Sequence, residues 1–75
     1  MSTDLAQDRR TKMLADWQES IEDKQALLKD PEAYTQQLIE QAADAFTAGV
    51  IKREDLRELR EWADAAYSWA VEEKL

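Results

Sequence analysis

The sequence predicts an all-α fold, a small antiparallel three-helix bundle in which a long N-terminal helix packs on a helix-turn-helix hairpin. Three observations predict it. Apolar residues recur at helical spacing through most of the 75 residues. The one proline and the one glycine, Pro31 and Gly49, stand where a helix begins and where a helix ends. Acids and bases lie one helical turn apart toward both ends of the chain, as in Asp8 with Lys12, Arg57 with Glu61 and Arg60 with Asp64. The two breakers divide a single domain, residues 1–75, into helices over about 4–29, 31–48 and 53–74.

The first helix is opened by Ser2, Thr3 or Asp4 as N-cap and closed by the Lys29-Asp30-Pro31 sequence, because proline holds its preceding residue in extended geometry. At helical pitch Met13, Leu14, Trp17, Ile21 and Leu28 fall within about 100° of arc, the width of one core-facing stripe. Its first two turns are weaker. Only Ala6 adds to the stripe there, and Arg10 intrudes on it.

Asp30 caps the second helix and Pro31 takes its first position, where a missing N–H costs nothing and the fixed φ is already helical. Tyr34, Leu38, Ile39, Ala42, Ala43, Ala45 and Phe46 spread over about 180°, more than one neighbour requires. Gly49 then suits the left-handed C′ position, and Val50 stands where a Schellman motif sets an apolar contact against Ala45. With Lys52 as N-cap of the third helix, Ile51 and Leu56 form a hydrophobic staple, while Glu54 and Asp55 meet the positive end of the helix dipole. Lysine is a poor cap, so the boundary falls within a residue of Lys52. Helix three spreads Leu56, Leu59, Trp62, Ala63, Ala66, Tyr67, Trp69, Ala70 and Val71 over roughly 200°.

The run Gly49-Val50-Ile51 followed by Leu56 and Leu59 resembles the punctuation of many short bacterial helical hairpins, including the family known as SHOCT, over about fifteen residues. What the resemblance implies is a helix-turn-helix hairpin, which the caps already demand. A DNA-reading hairpin is a different matter. With Gly49 as its turn glycine, the small position falls on Ala45 and an apolar one on Val50, but three further packing positions fall on Asp44, Asp55 and Glu58. Lys52, Arg53, Arg57 and Arg60 are interleaved with acids, so direct nucleic-acid binding is not expected.

Composition excludes more. Seventeen acids against ten bases give a net charge of −7, which repels phosphate and anionic lipid and points to a basic partner. The acids and bases gather at the two ends, for residues 31–51 hold three acids and no base. Without His or Cys the chain lacks the common general base and the usual zinc ligands, and one Gly cannot build a phosphate-cradling loop; no EF-hand spacing occurs. The expectation is a non-enzyme without cofactor or metal. No apolar run approaches the ~18 residues of a membrane span and no signal-peptide core is present, so a cytoplasmic setting without membrane contact is expected.

Trp62 and Trp69, two turns apart, share one edge of helix three with Glu58 and Ala65. They either fill a groove between the other two helices or form a docking edge for a second protein. The expected function is a small acidic helical protein–protein interaction module, an accessory, chaperone-like or inhibitory factor of bacterial or phage origin, with Glu58, Trp62, Ala65 and Trp69 as partner-binding residues. Two alternatives stand beside it: a structural homodimer whose assembly is the functional unit, and an acidic nucleic-acid mimic that inhibits a nucleic-acid-binding protein.

Overall fold

The computed structural model describes residues 2–75, with side chains from Gln7 onward. The described residues are all-α, in four helices rather than three: α1 (Ser2–Ile21), α2 (Lys24–Lys29), α3 (Pro31–Thr47) and α4 (Arg53–Lys74). The side chains of Ser2, Thr3, Asp4 and Ala6, to which the first cap and the start of the stripe were assigned, lie outside those described.

The continuous first helix expected over 4–29 is corrected by a break at Glu22–Asp23, with no proline or glycine to mark it. Asp23 leaves helical geometry (φ −77°, ψ 85°), and its carboxylate accepts the Ala26 N–H at 3.2 Å, capping α2. On the other side of the break, the Asp23 N–H donates to the Ser20 carbonyl at 3.2 Å, and the Tyr34 phenol of α3 donates to the same oxygen at 2.7 Å. A local cap and a long-range bond together satisfy what the interrupted helix leaves open. The break also resets the phase. In an unbroken helix Leu27 would point about 80° away from Trp17, yet it is buried, 2% exposed, whereas the expected core residue Leu28 is half-buried.

The hairpin forms as its capping residues dictate. The Asp30 carboxylate accepts the Ala33 N–H at 3.2 Å and Pro31 opens α3. At the far end the Val50 N–H reaches the Ala45 carbonyl (2.9 Å) and the Gly49 N–H reaches that of Phe46 (3.0 Å), the two bonds of a Schellman motif, with Gly49 at φ 77°. Lys52 precedes α4 in extended geometry and, having no acceptor, gives no side-chain cap; Asp55 supplies the bond instead, accepting the Lys52 N–H at 2.9 Å.

Of all helix pairs α3 and α4 pack most extensively, α1 lies along α3, and α2 covers the open end of both hairpin helices. Ser20 sits level with Tyr34, Trp17 with Leu38 and Arg10 with Asp55, so α1 runs antiparallel to α3 and in the same direction as α4. Trp17, Leu38, Ala42, Ile51, Leu59 and Ala63 form the core, and Leu14, Ile39, Val50 and Leu56 close around it. Ala42 and Ala63 have no exposed surface, and their small size lets the hairpin helices approach closely. The wide apolar arcs read from the sequence are only partly spent: Ala43, Phe46, Trp62 and Tyr67 remain exposed.

Candidate functional site

The four residues of the expected docking edge stand along one side of α4. Glu58 and Ala65 are exposed, Trp62 is 40% exposed, and Trp69 is half-buried. The two tryptophans are held differently. Trp69 lies beneath the ammonium of Lys24, whose Nζ is 5.3 Å from the ring centroid, a cation–π contact that ties α2 to α4. Trp62 rests on Trp17, ring centroids 6.5 Å apart and planes inclined by 38°.

Trp17 is a fixed support. It is 2% exposed, and its indole N–H donates to the Leu38 carbonyl at 2.8 Å, joining α1 to α3. The half-open ring of Trp62 therefore stands on a ring that cannot turn without breaking a buried hydrogen bond.

Beside Trp62 the surfaces of α1 and α4 leave a groove of about 210 Å³. Leu14, Leu59 and Trp62 give it apolar walls, Gln18 and Glu58 its polar rim, and Arg10 with Asp55 one end. The guanidinium grips Asp55 with two bonds, Nη2 to Oδ1 at 2.7 Å and Nε to Oδ2 at 2.9 Å. Asp55 is 9% exposed. The bonds from Arg10 hold its carboxyl down to about 2, from an ordinary 3.8, against the opposing effect of burial and with help from the Lys52 N–H. The same pairing raises the pKa of Arg10.

This pair is what sequence reasoning missed. By residue type and position Arg10 reads as an intruder on an apolar stripe and Asp55 as an acid near a helix dipole. Asp55 stands one turn before the buried Leu59, on the same face of α4. An acid in phase with one core and a base in phase with another are the signal for a cross-helix ion pair, once the two are considered together.

A wider hollow lies at the α1–α2 break, lined by Asp16, Glu19, Glu22, Asp23 and Tyr34, with little apolar wall. Tyr34 keeps its proton, its pKa raised by burial and then by the Asp23 carboxylate. Among the described residues no group of carboxylates is placed to hold a metal ion, and no helix is long and apolar enough to cross a membrane. No family model, curated protein or solved structure matches this chain.

Proposed function

We propose that this chain is a small acidic protein-binding module, acting by docking rather than catalysis, and that Glu58, Trp62, Ala65 and Trp69 form its contact edge. One observation carries the reading: a tryptophan left 40% open while its ring is braced on a buried neighbour. Rigid, half-exposed aromatics give large contact area at small entropic cost and are the residues that most often dominate binding energy. The role suited to so small a chain is that of an accessory, chaperone-like or inhibitory factor in a bacterial or phage cytoplasm.

Site-specific photo-crosslinking tests it. A benzophenone side chain placed at Ala65 in the producing cells should yield an adduct with one partner protein, and Trp62→Ala should abolish it. The same group at Gln37, an exposed position on α3, should yield none. Equal labelling from both positions would overturn the proposal. A homodimer is the second reading, favoured by Phe46 and Tyr67, large apolar side chains exposed on α3 and α4 outside the edge. An adduct of twice the chain's own mass would decide for it.

A further inference from the structure

Resting on that reading of the contact edge, we infer that the groove between α1 and α4 receives one arginine side chain of the partner protein, its stem against Leu14 and Leu59 and its guanidinium between the Trp62 ring and Glu58. The charge balance of the groove comes first. Its only base, Arg10, is committed to Asp55, whose two oxygens already take both guanidinium bonds and the Lys52 N–H. That pair is internally neutral. Glu58 is left over: it is exposed, lines the groove, acts on Arg10 only through its field, and takes part in none of the ion pairs among the described residues. The groove thus carries one uncompensated negative charge on a chain whose net charge of −7 draws cations toward it.

Shape and wall chemistry narrow the occupant. A volume of about 210 Å³ lies below the ~300–1,000 Å³ typical of small-molecule pockets and suits a single long side chain. Leu14 and Leu59 ask for an aliphatic stem, and Trp62 with Glu58 at the rim asks for a cation at the end of it. The molecule shows the same arrangement seven residues further along α4, where Lys24 of its own chain lies over Trp69. No such cation lies over Trp62 among the described residues. Arginine fits better than lysine, because a planar guanidinium stacks on an indole and meets a carboxylate with paired N–H groups.

The experiment is an NMR titration of the full chain with three short peptides, acetyl-Gly-Ala-X-Ala-Gly-amide, where X is arginine, lysine or citrulline. The arginine peptide should shift the indole N–H of Trp62 and the side-chain amide of Gln18 while leaving the buried indole of Trp17 in place. Citrulline, of equal shape and no charge, should bind about tenfold more weakly or less, with lysine between. Glu58→Gln should bring the arginine peptide down to the citrulline level without changing the melting temperature. Trp62→Ala should weaken all three peptides, which an effect of Glu58 on folding alone would not reproduce. Equal binding of arginine and citrulline, or arginine binding untouched by Glu58→Gln, would overturn the inference. Where the peptides fail but the adduct at Ala65 still forms, the edge docks a different chemistry and only the arginine assignment falls. Where both fail, the docking reading falls with it.

Discussion

The hairpin is closed by bonds between near neighbours: Asp30 to Ala33, Gly49 to Phe46, Val50 to Ala45, Lys52 to Asp55. The α1 arm is fixed by bonds that span 14, 21 and 45 residues, from Tyr34 to Ser20, Trp17 to Leu38 and Arg10 to Asp55. Trp17 and Arg10 reach from α1 to the hairpin and Tyr34 reaches from the hairpin to α1, so each arm bond exists only once the two regions have met. The hairpin can therefore organise from local signals, whereas the arm must meet the loop-closure cost of distant contacts before they stabilise it. The docking edge lies on the seam between these two regions, with Trp62 braced by the arm and carried by the hairpin.

The largest test asks whether arm and hairpin share one core. Leu59 is buried in the cluster that includes Trp17 of the arm and Ala42 of the hairpin. Leu59→Asp places an unpaired charge there, at a cost of several kcal/mol against a margin of roughly 3–5 for a chain this size, so both regions should unfold together. Arg60→Asp, one residue on and exposed, should stay within about 0.5 kcal/mol of the parent. Circular dichroism melts distinguish the two, and a folded Leu59→Asp would refute the shared core.

The second test loosens the joint between arm and hairpin, since Asp55 holds Arg10 and also accepts the Lys52 N–H. Because the folded-state pKa of Asp55 is depressed from 3.8 to about 2, its contribution is complete above the unfolded value and is lost as pH falls through the folded one. Between pH 5 and 2 this carboxyl should account for about 1–2 kcal/mol of lost stability, allowing for the solvent that reaches Arg10. Urea titrations across that range should show a shallower loss in Asp55→Asn. Identical pH profiles in the two proteins would mean that the pair does not hold the arm.

The contrast between local and distant bonds also explains what could be read from the sequence. Asp30, Pro31, Gly49, Val50 and the Ile51–Leu56 staple announce themselves by residue type and position, and the hairpin follows. The break at Asp23 does not. Aspartate is tolerated inside helices, and the Tyr34 bond that helps to fix the break comes from 14 residues away. Without the break, helical pitch turns Leu28 toward the core in place of Leu27. Periodicity placed Trp62, Trp69, Glu58 and Ala65 on one edge of α4, but the facing wall of Arg10, Leu14 and Gln18 depends on the register of α1, which periodicity leaves open.

The third test weakens the hairpin's closure. Gly49 sits at φ 77° with nothing within 4 Å of where a Cβ would be, so Gly49→Ala has room and meets only the backbone cost of the left-handed conformation, about 1 kcal/mol. The loss should appear in urea melts without any change in the Trp62 environment. A loss of several kcal/mol would show that the turn is held by packing rather than by its backbone conformation.

The smallest effect, and the most informative about the arm, belongs to Asp23→Ala. Removing the carboxylate leaves the Ala26 N–H without its 3.2 Å partner, at a cost of about 0.5–1 kcal/mol. Alanine is also the best helix former, so the change favours the continuous helix that the surrounding residues would otherwise build. Opposing it is the burial of Leu27, which requires the break, while the Tyr34 bond to Ser20 holds the end of α1 in place. Buried apolar surface outweighs a cap, since sinking one leucine is worth about 1.5–3 kcal/mol. The break should therefore survive, with faster amide exchange over residues 22–26 and unchanged carbon chemical shifts at Leu27. Helical shifts running without interruption from Ile21 to Lys29 would show instead that the Asp23 cap alone makes the arm bend.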